Sequence, residues 1–152
     1  MIRLSRLADY AVVLMSHVAA AKTEVHNAVD IAAATGLPAP TVSKVLKALA
    51  HRGLLVSQRG ARGGYALARG AHAITVADIV SAIDGPIALT HCLKSGAGAC
   101  EVEQGCPSRS GLNRINTAIR SALEAVTLAD VSTPMPALPS RAVAGPEMRA
   151  QP

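Results

Sequence analysis

Apolar residues at Leu7, Tyr10, Ala11, Leu14, Met15 and Val18 recur at three- and four-residue steps, so the pattern predicts an amphipathic helix over 5–21. A short second helix is predicted over 28–35, with Gly36 as its stop. A third is predicted over 40–52, with Pro40 in its first turn and Gly53 ending it. Its face for burial is Val42, Val45, Leu46 and Leu49, which leaves Thr41, Ser43, Lys44, Lys47, Ala48 and His51 pointing elsewhere. Residues 54–59 and 65–69 read as two short strands turned by Gly60, Gly63 and Gly64. A fourth helix starts at Thr75, with Asp78 completing a capping box and Ile74 placed to staple to Ile79; it ends before Gly85-Pro86. From Arg109 a long helix carries Leu112, Ile115, Ile119, Ala122 and Val126, a seam of the kind used for helix–helix pairing. Beyond Ser132, residues 133–152 hold five of the nine prolines and no apolar period, so a disordered tail is expected.

At 152 residues the chain has the length of one domain. Half of it is hydrophobic, yet it has two Tyr and no Phe or Trp, so its core is built from aliphatic side chains and alanine. Residues 1–75 hold nine Lys or Arg against three Asp or Glu; residues 76–152 hold six against seven. The N-terminal half therefore carries a positive field suited to a polyanion. No run of eighteen apolar residues exists, which argues against a membrane span. The basic, then apolar, N-terminus superficially resembles a signal peptide, but Asp9 and Tyr10 interrupt it and its spacing is helical. Three cysteines is an odd number, which argues against a closed disulfide framework and fits a reducing, cytoplasmic setting.

Three helices followed by a glycine-turned hairpin predict a mainly α fold with one small β-hairpin, a winged helix-turn-helix, over 1–84. A cysteine-containing loop follows over 85–108, then a dimerisation helix over 109–131 and the tail over 132–152. In such a fold the second helix of the motif enters the major groove of double-stranded DNA. Lys44 and Lys47 are placed to reach phosphates, Thr41 and Ser43 to reach base edges, and Arg59 and Arg62 to reach the minor groove from the wing tip. Any one of these cations taken alone is an ordinary solvated charge; the set, with the charge split, points to DNA.

Cys92, Cys100 and Cys106 stand as C-x7-C-x5-C in a Gly/Ser-rich segment with little core to fill. Structural zinc sites use closer pairs and four ligands, whereas thiolates on a loop suit an iron–sulfur cluster completed by a fourth ligand. Three other readings stay open: a clusterless thiol sensor, a cysteine-dependent enzyme activated by His91, and a cluster carrier without a DNA role. The enzyme is disfavoured because no C-x-x-C occurs, and the carrier because of the Lys44, Lys47, Arg59 and Arg62 set. His17, His26, His51 and His72 are scattered and read as structural or solvated.

The segments LSRLADYAVVLM, PTVSKVLKAL, RGARGGYALAR and ITVADIVSAIDGP, followed by the three-cysteine loop, occur in one order. Together they resemble the winged-helix iron–sulfur regulators typified by IscR, NsrR and the Suf-operon regulators, over about residues 1–131. The segment from Cys106 to Val131 is most similar to the Suf-system branch. This resemblance implies a homodimeric transcriptional repressor of iron–sulfur assembly genes, binding a palindromic operator and responding to cluster status, oxidants or nitric oxide. It implies no enzymatic activity and no small-molecule substrate. It also implies that Cys92, Cys100 and Cys106 ligate a [2Fe–2S] or [4Fe–4S] cluster, and that Ser43 and Arg59 contact bases. Where IscR-like members place a ligating His, this chain has Arg109, which stays protonated and cannot ligate. Some nitric-oxide-sensing members use an Asp from the first helix of the other subunit, and Asp9 stands at that position; His91, a water or a thiol are the other candidates for the fourth ligand.

Overall fold

In a computed structural model, residues 3–21, 25–60, 63–93 and 105–132 are described; Arg62, Cys100 and the segment 133–152 lie outside them. Helix α1 (Arg6–Ala20) starts at Ser5, whose hydroxyl accepts the Ala8 N–H at 3.1 Å and donates to Asp84 Oδ1 at 2.7 Å. Helix α2 (Ala28–Thr35) is capped by Asn27 and stopped by Gly36 at φ +69°. Helix α3 (Ala39–His51) opens with Pro40 in its first turn. Strands β1 (Leu55–Gln58) and β2 (Gly64–Leu67) pair antiparallel, Leu55 opposite Leu67 and Gln58 opposite Gly64. Helix α4 (Val76–Asp84) carries the expected capping box between Thr75 and Asp78. Each of these elements lies within two or three residues of its sequence expectation.

Helix α1 is the spine. Its Leu14 and Met15 are fully buried with Ile31 of α2, Val42, Leu46 and Leu49 of α3, and Ile74 and Ile79 around the start of α4. Ile74 and Ile79 thus share one cluster, as a hydrophobic staple requires. A second cluster of Ala8, Val76 and Val80 meets Leu123 from helix α5 (Arg109–Ala125), and this seats the long helix on the head.

Two features differ from the sequence reading. The stretch 109–131 is not one helix: α5 ends at Ala125, and a short α6 (Leu128–Ser132) follows. Val126 is extended (φ −101°, ψ 118°), and its carbonyl accepts the Val76 N–H at 2.9 Å. Leu128 N–H donates to the Ile74 carbonyl at 2.7 Å, so Thr75 and Thr127 form an isolated antiparallel bridge. Thr127 and Asp130 then cap α6 reciprocally, at 2.8 Å and 3.3 Å. Leu128 is fully buried in the core of the head.

The predicted seam also divides. Leu112 and Ile119 are half-buried, on the inward face shared with Asn116 and Leu123, while Ile115, Ala122 and Val126 are exposed. The apolar stripe of α5 is wide enough to serve two faces, one seated on α4 and one turned outward.

Candidate nucleic-acid interface and cysteine segment

Burial of Val42, Val45, Leu46 and Leu49 fixes the rotation of α3. Lys44 and Lys47, one turn apart, are consequently exposed, and Thr41 and Ser43 are half-buried on the flanks of that outward face. Exposed Arg52 extends the positive face at the helix end, beside exposed His51; the sequence alone did not place Arg52 among the contacts. A signal for it was present, because no Asp or Glu occurs between Asp30 and Asp78. Among the described residues Lys44, Lys47, Arg52 and Arg59 form no ion pair. Arg69 is committed to the head instead, bonding Asp78 at 3.0 Å and the Ala73 carbonyl at 2.8 Å. An unpaired, exposed cationic surface of this kind is what a phosphate backbone neutralises.

The wing places Arg59 at the exposed end of β1. Gly60 follows at φ +119°, a conformation that favours glycine. Two backbone bonds, His26 N–H to Tyr65 O at 2.9 Å and Tyr65 N–H to His26 O at 2.8 Å, pair the chain before α2 with β2. A Cβ on Gly64 would collide with the His26 carbonyl, so the wing rests against the motif only because that residue is glycine. The imidazoles of His26 and His17 meet edge to face at 6.1 Å, giving both a packing role.

The cysteine segment is bracketed by two turns. Cys92 sits in a single 3-10 turn (His91–Leu93), and its sulfur lies 3.2 Å from the Thr90 hydroxyl. Cys106 lies just before α5, its carbonyl accepting the Arg109 N–H at 3.3 Å. Both are free, half-buried thiols. Leu93 and Cys106 line one cleft together with Arg109, Ser110 and Asn113, so the two turns flank the start of α5. Asp9 is exposed on the first turn of α1, beside Arg3, Ser5 and Arg6. Among the described residues no three of His, Cys, Asp and Glu gather within one chain, so Asp9 is not brought to Cys92 and Cys106. No helix among the described residues is long and apolar enough to cross a membrane.

A helix-turn-helix with a glycine-shaped wing and a cationic recognition helix defines a winged-helix DNA-binding regulator. The chain belongs to the Rrf2 family, described as iron-dependent transcriptional regulators, whose profile it matches over residues 4–134. It is 37% identical over 132 residues to a Mycobacterium tuberculosis protein named as an HTH-type transcriptional regulator, covering 86% of this chain and 81% of that one. Among solved structures it is similar to T. potens IscR (29% identity, TM-score 0.62, 85% of each chain). It is also similar to CymR, titled the global cysteine regulator of B. subtilis (26% identity, TM-score 0.67, 87% of this chain and 97% of that one). These relatives are transcriptional regulators, not enzymes.

Proposed function

We propose that the chain is a dimeric, cytoplasmic repressor of iron–sulfur assembly genes, of the Suf or Isc type, whose hold on a palindromic operator responds to an iron–sulfur cluster. The observation that carries this reading is the pair of turns at Cys92 and Cys106 flanking the start of α5. Soft thiolates are the donors such clusters take, and the half-buried turns hold two of them in reach of solvent chemistry. The donor set therefore fits: Cys92, Cys100 and Cys106 would hold the group, and Asp9 of a second copy would complete it. When bound, the cluster supplies a centre sensitive to oxidants and nitric oxide.

The chain's own residues supply the rest. Lys44 and Lys47 meet phosphates, Thr41 and Ser43 face base edges, and Arg59 with Arg62 reaches the minor groove from the wing. The exposed Ile115, Ala122 and Val126 offer α5 to a second α5. Because α6 fixes the far end of α5 to the head, a change at the cysteine turns acts on the near end alone. It thereby alters how two heads are spaced on DNA, an order–disorder bias on a bistable dimer.

The similarity to a cysteine regulator and the free thiols favour one second reading, a clusterless sensor in which cysteine oxidation is the signal. Anaerobic purification with visible and resonance Raman spectra and iron and sulfide analysis separates the two. A brown protein with matched iron and sulfide supports the cluster; a colourless protein after reconstitution transfers the sensing role to the thiols and leaves the DNA-binding half standing.

A further inference from the structure

We infer that Asn116 is a positioning residue that ties the chain entering the cysteine segment to α5, so that the Cys92 turn and the outward-facing helix move together. This rests on the cluster-sensing reading above and names its point of transmission. Asn116 is the buried residue of α5, 9% exposed, on a face otherwise made of Leu112, Ile119 and Leu123. A buried amide on an apolar face is costly unless both its ends are bonded. Its Oδ1 accepts the Leu89 N–H at 2.9 Å, and its Nδ2 donates to the Ile87 carbonyl at 3.4 Å.

The placement of those two partners gives the bonds their meaning. Between Gly85 and Thr90 the chain is neither helix nor strand, so its backbone groups have no regular ladder to join. Asn116 stands in for the missing strand partner, bonding across Ala88. The Cys92 turn follows at once: Leu93 N–H donates to the Thr90 carbonyl at 3.1 Å, and the Thr90 hydroxyl contacts the Cys92 sulfur. On the other side, Ile115, the residue before Asn116, is half exposed on the outward face of α5. One side chain thus lies between the segment that carries Cys92 and the surface that would meet a second copy. A residue needed only to fill space there would be leucine, as at 112 and 123.

The test compares wild type with Asn116→Leu, which removes both bonds at similar volume, and with Asn116→Asp, which keeps the acceptor toward Leu89. Each is loaded anaerobically, then stripped, and assayed on a DNA duplex selected from a random pool by the wild-type protein. Amide exchange over residues 85–93 is followed in parallel. Asn116→Leu is expected to bind the same iron and sulfide as wild type, to exchange faster over 85–93, and to lose the affinity ratio between loaded and stripped forms. Asn116→Asp is expected to fall between, and it decides by the same readouts if the leucine variant fails to fold. An unchanged ratio or unchanged exchange in a variant overturns the tie, as does loss of iron. A wild type with equal affinity in its two forms overturns the tie and the sensing reading together; a responsive wild type with an equally responsive variant overturns the tie alone.

Discussion

Thr75 and Thr127 face each other in an antiparallel bridge, each the first residue of a capping box that starts a helix. Their sequences match in form, T-V-A-D at 75–78 and T-L-A-D at 127–130. The bridge joins the start of α4 to the start of α6, so the C-terminal end of α5 has a fixed position on the head.

Loosening this joint should cost stability in proportion to what is removed. Thr127→Ala loses a cap and should cost about 1 kcal/mol, while Leu128→Ala opens a cavity in the core and should cost about 2–5 kcal/mol. Chemical denaturation of both variants checks the order. A Leu128→Ala change that is harmless would mean α6 does not pack as described.

The same joint makes stability depend on pH. The Thr127 hydroxyl, and then its backbone N–H, hold the exposed Asp130 carboxyl below its ordinary value of 3.8, slightly opposed by desolvation. A depressed carboxylate stabilises the fold above its unfolded value, and that stability is lost as pH falls through the lower folded value. Asp130→Asn should therefore melt below wild type at neutral pH, with the two melting temperatures converging in strong acid. A gap that persists unchanged in acid would remove the charge from the explanation.

Gly64→Ala should cost about 1–3 kcal/mol, because the added carbon meets the His26 carbonyl and lifts the wing from the chain before α2. Gly111→Ala, on α5 with open space around it, is the contrast and should gain about 0.5–1 kcal/mol in helix propensity. Equal effects at the two glycines would contradict the close approach at Gly64.

DNA binding should divide by contact type. Lys44→Ala and Lys47→Ala should weaken binding to all sequences and each lower the salt slope by about 0.9. Arg59→Ala should cost about 1–3 kcal/mol on the preferred site and relax preference there. Titrations at several salt concentrations distinguish the two behaviours, and an unaffected Arg59→Ala would sink the wing assignment.

The roles proposed for the cysteines and for the outward face of α5 can be separated in solution. Cys100→Ala should abolish the visible chromophore and leave the dimer intact, whereas Ile115→Glu should give monomers by sedimentation while the chain stays folded. A chromophore retained in Cys100→Ala would reassign the ligands.

How much of this was legible follows from where the information lies. Helices α1 to α4 and the hairpin were readable because each carries a local signal: the period of α1, Gly36 after α2, Pro40 and Gly53 around α3, the Thr75–Asp78 box of α4 and the glycines of the wing; Val42, Val45, Leu46 and Leu49 alone fix how α3 faces outward. The break at Val126 was hidden because an apolar residue on an apolar stripe gives no local stop, although T-L-A-D just after it is a helix start. The role of Gly64 was unreadable as well, since it depends on His26, far away in sequence. Nothing in the sequence around Asn116 distinguishes it from an exposed polar helix position; its burial depends on the chain at 87–89. For the site, the residue types on α3 and in the cysteine segment were legible, while the flanking of α5 by Cys92 and Cys106 required the fold.

The burial of Leu128 also bears on how the protein is made. The core around α1 contains Leu128, more than a hundred residues further along the chain, so the head cannot close while residues 85–126 are the last to have been synthesised. That contact spans most of the sequence, and closing so long a loop slows folding. A nascent chain stopped before α6 would display α3 on an unfinished core. Completion of the head thus waits for α5 and the cysteine segment to emerge, so α3, the wing and the cysteine segment are finished together.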